Sequence, residues 1–410
     1  KWLIIGKYKE GDYPLWGSYY IRWWFIRTIQ RLNPVELLSG TPLYNFYLKS
    51  YGMRVSSDAQ ISQVMVGAED LVEIGENVSI SSYVVFDNAI VVGGLLKLRK
   101  IKIGNHVALG TNTVIGSDTV MEDWSVLKDL SYLPPHSKVK MGEIWSGSPA
   151  MKVAQAEPAS MQVPEAIPRL RWYAYIVMYS IMMITFPIQF LAPLIPAIYV
   201  FNELDNAAPD YNFEYLVIAP VVAMVYLFLY VVFSSFLIRL LQWNLKEGKY
   251  PIFTFTYVRK WLSDQIFTLC LGVLHPIFAS VYISSFYRLL GAKVGKRSEI
   301  STASNVTHCM LEIGDEAFIA DAVALGESDV RNNIMTLQKT KVGNTSFVGN
   351  SALIPQGYTV ADNTLIGVLS IPPSEKQLAE NPKSDWFGSP AIALPNRQDS
   401  GTYDKKLLYY

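Results

Sequence analysis

The sequence predicts a mixed membrane protein: two glycine-punctuated triangular solenoids joined by a transmembrane α-hairpin, with amphipathic or re-entrant helices beside them. Three observations predict it. Two long stretches lack any charge, one unit recurs after about 239 residues, and within each unit an aliphatic residue returns every six places. Composition agrees with such a mixture. Half of the 410 residues are hydrophobic and only 17% are charged, against about 25% in an ordinary soluble protein. Thirty-five basic and thirty-five acidic side chains cancel, which excludes a nucleic-acid binder acting through bulk charge and an acidic disordered chain. Cys270 and Cys309 make neither a disulfide framework nor a metal spacing, so no metal site is expected. The start at Lys1, without an initiator Met, reads as a segment of something longer.

The uncharged stretches come first because they fix the topology. Trp172 to Asn202 and Tyr215 to Ile238 each exceed the roughly 20 apolar residues that a bilayer core requires of a helix. Acids occupy their connection (Glu203, Asp205, Asp210), whereas Arg169, Arg171, Arg239, Lys246 and Lys249 flank the outer ends. The excess of Lys and Arg places those ends in the cytoplasm. A third stretch, Gln265 to Tyr287, is broken by Gly272, His275 and Pro276 and followed by Arg288, Lys293, Lys296 and Arg297. It reads as a re-entrant or interfacial helical elbow covered by protein, with a full crossing the alternative.

The repeat organises the rest. Lys9-Glu-Gly-Asp-Tyr-Pro14 returns as Lys246-Glu-Gly-Lys-Tyr-Pro251, Arg22 and Trp24 as Arg259 and Trp261, and Trp145-Ser-Gly-Ser-Pro-Ala150 as Trp386-Phe-Gly-Ser-Pro-Ala391. Ile103, Leu109, Ile115, Met121, Leu127 and Leu133 set the period in the first copy; Val342, Val348, Ile354, Val360 and Ile366 set it in the second. Each six-residue step reads as one short strand and one corner, with the aliphatic residue inside and small residues, glycine among them, permitting the turn. Three steps make a coil of eighteen. Residues 87–100 and 327–341 leave the register and read as loops on a binding face. The expected units are 1–52 (interfacial helices of the first repeat, along the membrane surface), 53–157 (first solenoid), 168–245 (transmembrane hairpin), 246–290 (membrane elbow of the second repeat), 291–396 (second solenoid) and 397–410 (tail).

The period with its glycines resembles the hexapeptide-repeat, left-handed parallel β-helix family. The paired solenoids, the Lys-Glu-Gly-x-Tyr-Pro openings and the Trp-x-Gly-Ser-Pro-Ala closings resemble, more narrowly, the C-terminal membrane region of nonribosomal-peptide-synthetase-like proteins of the ε-poly-L-lysine synthetase type. The runs Ile313 to Gly326 and Val342 to Gly357 carry most of that resemblance, which extends to about Asp399. It implies a condensing region fed by upstream adenylation and carrier domains. That region takes an aminoacyl or acyl group from a phosphopantetheine thioester, with no tightly bound cofactor, and joins it to a small amine or amino-acid acceptor through an amide. It also implies a multi-pass protein of the cytoplasmic membrane whose β-helices face the cytoplasm, here read as a homodimer. Two other functions stay open: a CoA-dependent acetyltransferase acting on a small molecule, and a scaffold or export element without catalysis.

Amide formation from a thioester calls for a general base and an oxyanion donor. Related acyltransferases use a His between neighbouring β-helices, so His308, at the entrance of the second solenoid, and His106, at a corner of the first, are candidate bases. Asp321 is a third, because it replaces the small polar Ser82 of the first copy. Asn350, opposite Thr111 in the repeat, is a candidate for binding an acyl carbonyl. Glu312 matches Glu73 and is a candidate substrate-binding residue that equally fits a structural role. Arg331, like Lys97, Arg99 and Lys100 in the first excursion, is a candidate partner for a pantetheine phosphate. His136 and His275 read as structural. Because the copies differ in these residues, one catalytic solenoid is expected, the second.

Overall fold

Six-residue spacing dictates that each aliphatic side chain lies directly over the one eighteen residues earlier, and the computed structural model has that register. It describes residues 1–33, 35–158, 161, 163, 168–207, 214–382 and 385–394. Asp210 and the 397–410 tail lie outside the described residues. In the first unit Ile103 pairs in parallel with Met121, Leu109 with Leu127 and Ile115 with Leu133; in the second Val342 pairs with Val360 and Val348 with Ile366. Strands two to five residues long stack in parallel into three sheets per unit, the three faces of a β-helix, and one sheet of each unit closes on an antiparallel strand. Leu109, Ile115, Leu127, Leu133, Val348 and Ile354 are at most 1% exposed. Each such side chain contributes about 1.5–3 kcal/mol through burial, repeated coil after coil.

The glycines act differently from the expectation. His106, Asn112, Asp118, Trp124, Leu130 and His136 hold the left-handed corners, with φ between 50° and 62°. Gly104 and Gly110 instead mark close approach between coils: a Cβ there would fall 2.4 Å from the carboxylate of Asp123 or Asp129 in the coil above. These carboxylates accept from the backbone N–H groups of Asn105 and Thr111 (both 2.8 Å).

The excursions are not loops. Ala89–Val92 and Leu95–Leu98 form an antiparallel hairpin, and the opening motif supplies its third strand: Gly11–Pro14 pairs with Leu95–Leu98. The second copy repeats this with Asp329–Arg331, Ile334–Leu337 and Gly248–Pro251. Arg99 consequently pairs with Asp12, and Lys100 with Glu10 at 3.1 Å. Both hold the motif strand to the hairpin.

Helix α1 (Ser18–Arg31) and helix α2 (Pro42–Ser50) precede the first solenoid. Helices α3 (Arg169–Met182), α4 (Thr185–Leu191) and α5 (Ile195–Ala207) make one arm of the hairpin, interrupted near its prolines, and α6 (Glu214–Gln242) makes the other. The segments Arg169–Asn206 and Val217–Gln242 are long and apolar enough to cross a membrane. Val217, Val221, Met224 and Phe228 are all more than half exposed on α6. Gln189 of α4 is fully buried and donates to the Tyr230 hydroxyl (2.9 Å) and Ser234 (3.1 Å) of α6. The elbow breaks where its sequence said: α7 (Phe255–Val273) ends in a short 3-10 turn at His275–Ile277, and α8 (Tyr282–Leu290) follows.

Candidate active site

Helix α7 belongs to the second unit and docks on the first. The Trp261 indole donates to the Ser39 carbonyl (2.8 Å), and the Tyr257 hydroxyl donates to the Gly40 carbonyl (3.2 Å). Beside this contact the second hairpin leans onto the first solenoid, where Asn333 donates to Asn77 at a left-handed corner (3.1 Å). The two units therefore face each other across a cleft. It holds two cavities of about 230 and 330 Å³.

Glu327 stands where they meet, since Glu327, Ser328 and Val330 line both. Gly326, at φ 73°, turns the chain out of its coil and sends the next residue toward the neighbour; a Cβ there would meet the Thr340 hydroxyl at 2.7 Å. The hydroxyls of Ser82 and Thr111 in the first solenoid donate to the two carboxylate oxygens, each at 2.6 Å. Burial pushes the Glu327 carboxyl above its usual range; the two hydroxyls pull it partly back, and the charge of Asp129 pushes it up again. Asp129 lines the smaller cavity and is raised by burial as well, with the Thr111 N–H and Arg331 opposing. A carboxylate with a raised pKa, held by two donors between two cavities, is chemically a proton acceptor for a group delivered from either side.

Of the six residues that the sequence nominates, only Arg331 lines the cleft. It pairs with Asp329 (2.9 Å) and remains 58% exposed at the smaller cavity. His308 is fully buried in a short 3-10 turn, 4.5 Å from the Phe267 ring and 5.5 Å from the Tyr287 ring, with no partner on either nitrogen among the described residues. Burial, helped by the nearby Lys260 charge, drives it down to about 3. So placed, it reaches no cavity of the cleft and is a poor base. His106 holds a corner and stacks on Trp124 one coil above at 4.1 Å.

Asp321 accepts from Ser301 and Thr302, and Asn350 accepts from the Asp321 N–H at 3.3 Å, on an exposed corner away from the cleft. Glu312 lies between Lys293 (2.8 Å) and Lys341 (3.2 Å), and these two ammonium groups hold its carboxyl below the usual range. The match with Glu73, which pairs with Arg54, is thus a repeated ion ladder across coils. His136 is 77% exposed near Asp118.

The residues missed were nevertheless signalled. Ser82 and Thr111 are the first-copy counterparts of Asp321 and Asn350, so the comparison of copies singled out these two repeat positions, and it is their first-copy occupants that meet Glu327 of the second unit. At the same spacing Glu327 corresponds to Asn88, which is fully buried and binds the Gly67 and Ala68 backbone. This acid-for-amide difference marks the site. Among the described residues no cluster of His, Cys, Asp and Glu has the arrangement of a metal site.

No family model matches the chain. It is 37% identical to delta-poly-L-ornithine synthetase of Acinetobacter baumannii (strain AB307-0294) over 412 aligned residues. The chain resembles one part of a poly-amino-acid synthetase. The alignment takes in 97% of this chain and 30% of that protein, so the chain spans less than a third of the relative's length. Among solved structures, a maltose O-acetyltransferase from Clostridium difficile 630 aligns with 28% of this chain and 75% of its own at 16% identity and a TM-score of 0.24, too faint a likeness to bear on the reaction.

Proposed function

We propose that this chain is the membrane-embedded condensing region of a poly- or oligo-amino-acid synthetase, and that the cleft at Glu327 joins an aminoacyl group to an amine. The observation that carries the reading is the placement of Glu327 between two cavities. The smaller takes the donor: a pantetheine arm bearing the thioester, from a carrier domain loaded by an adenylation domain, its phosphate met by Arg331. The larger takes the acceptor amine. Among the described residues each cavity is lined by three carboxylates and one cation, Asp129, Glu327 and Asp329 with Arg331 in the smaller and Glu36, Asp264 and Glu327 with Lys260 in the larger, so charge does not separate them. The exposed Arg331 favours the smaller for the phosphate, and the ornithine in the relative's name supports a basic amino acid as acceptor.

In the reaction the acceptor ammonium loses a proton to Glu327, and the free amine attacks the thioester carbonyl. An N–C bond forms and the C–S bond breaks. Of the two protons that the ammonium gives up, one goes to the departing thiolate and the other leaves through Glu327 to solvent. Tyr83 and Asn305 line the same cavity and carry side-chain donors that could meet the developing oxyanion. The two long apolar segments, with basic flanks, cross the membrane and leave both β-helices in the cytoplasm, where a loaded carrier meets them.

The test is to reconstitute the protein in bilayers, add aminoacyl-loaded carrier and free ornithine, and look for the amide by mass spectrometry. Amide product is expected. Its absence with a competent carrier would overturn the reading, and product from acetyl-CoA alone would replace it with an acetyltransferase.

A further inference from the structure

The wall of the larger cavity opposite the hairpin carries a buried ion pair that no step above uses. Lys260 and Asp264 lie one turn apart on α7. The Lys260 side chain is 2% exposed and its ammonium sits 2.6 Å from both Asp264 oxygens, while the Asp264 side chain keeps 34% exposure. Both line the cavity that Glu327 and Glu36 also line. An i,i+4 pair on a helix surface is worth about 0.3–0.5 kcal/mol, and withdrawing a pair from water commonly costs more than its attraction returns. Fold stability is therefore a weak reason for it.

The elbow does not need the pair either. In the register set by Arg22 with Arg259 and Trp24 with Trp261, the first copy has Trp23 and Arg27 at these places. Trp23 donates to the Gly67 carbonyl, and Arg27 pairs with Glu69. The ion pair occurs in the copy whose helix borders the cleft.

An ammonium and a carboxylate held side by side are the complement of an α-amino acid zwitterion. We propose that Lys260 and Asp264 anchor the acceptor by its α-carboxylate and α-ammonium, exchanging one internal ion pair for two with the ligand. The acceptor side chain then extends across the cavity to Glu327, so the amine at its far end is the one acylated. Lys260 and Asp264 determine specificity and leave the proton transfer to Glu327. This proposal rests on the reading of the cleft as an amide-forming site.

The experiment measures KM and kcat for ornithine, ornithine amide and 1,4-diaminobutane in the wild type, Lys260→Met and Lys260→Arg, all in bilayers with a loaded carrier. Loss of the carboxylate from the ligand should raise the wild-type KM roughly thirtyfold, the low end for truncating a buried charge pair. Lys260→Met should raise KM for ornithine by a similar factor and lower that for 1,4-diaminobutane, whose second ammonium then meets an unpaired Asp264, with both kcat values little changed; Lys260→Arg should restore most of the loss for ornithine. Equal KM values for the three ligands in the wild type, or equal effects of Lys260→Met on all of them, would overturn the anchor while amide formation stands. No product from any acceptor would overturn the underlying reading instead. If Lys260→Met fails to fold, the ligand series in the wild type decides alone.

Discussion

The two halves of the chain share one plan and use it differently. Each has an opening strand, a helix that follows it, a β-helix and a hairpin inserted between coils. In the first half the hairpin begins with Asn88, whose amide is consumed by the Gly67 and Ala68 backbone. In the second it begins with Glu327, whose carboxylate is consumed by hydroxyls of the other half. The β-helical corner that receives it, Ser82 with Thr111, has its counterpart in Asp321 with Asn350, which hydrogen-bond within their own solenoid. Duplication supplied two hairpins and two receiving faces, and one of each meets in the described chain. A repeat thus makes a site through the difference between its copies.

That comparison breaks most sharply at Glu327. Glu327→Gln keeps the shape and removes the base, and should lower the rate of amide formation by about 10²–10⁴-fold. The wild-type rate should rise with pH through an apparent pKa above the ordinary carboxylate range, and the variant should lose that rise. Stability moves the other way. A folded-state pKa above the unfolded value makes the ionised form costly, so the contribution of Glu327 is fullest below the ordinary carboxylate range and is lost as pH rises. Glu327→Gln should therefore melt above wild type at pH 8, with the gap narrowing near pH 4.

A smaller effect is expected on the receiving face. Ser82→Ala and Thr111→Ala each remove a hydrogen bond to a charged group, worth about 1.5–3 kcal/mol. Either should move the rate-versus-pH profile to higher pH, because the carboxylate loses a donor. Their counterparts, Asp321→Ala and Asn350→Ala, should leave rate and profile within about twofold. Kinetics across pH on the four variants would expose an error if the second pair moved the profile as much as the first.

The smallest effect on rate is expected at His308. Its pKa, near 3 in the fold, lies below that of an unfolded histidine. Its contribution to stability is present above about pH 6.5 and is lost as pH falls toward 3. Replacing it with Leu should leave the rate at neutral pH intact and shift acid unfolding, followed by circular dichroism, to lower pH. A large loss of rate would return His308 to the mechanism.

The β-helices were legible because every coil enforces the same requirement: a one-residue slip would place Leu109 or Ile115 outside, so the period is written many times over. The glycines were legible as a pattern but not in their cause, since close approach between coils and a left-handed corner both demand small or tolerant residues. The opening motif was visible as a repeat, yet its pairing with the hairpin spans more than eighty residues and leaves no local trace. The site was the least legible. The hydrogen bonds that define it join residues 245 and 216 positions apart, and a search for His pointed to His308, where hydrophobic packing makes an ionisable ring inert.

On this reading the thioester arrives at the face bearing Thr111 and not at its repeat counterpart bearing Asn350. Disulfide trapping tests it directly: Thr111→Cys and Asn350→Cys, each with Cys309→Ser, are exposed to a carrier whose pantetheine thiol is activated as a pyridyl disulfide. Attack by the introduced thiolate expels pyridinethione and leaves a covalent adduct countable by mass spectrometry. Rapid capture is expected at Thr111→Cys, although that position is only 4% exposed, and slow capture at the exposed Asn350→Cys. Equal or faster capture at Asn350→Cys would contradict it.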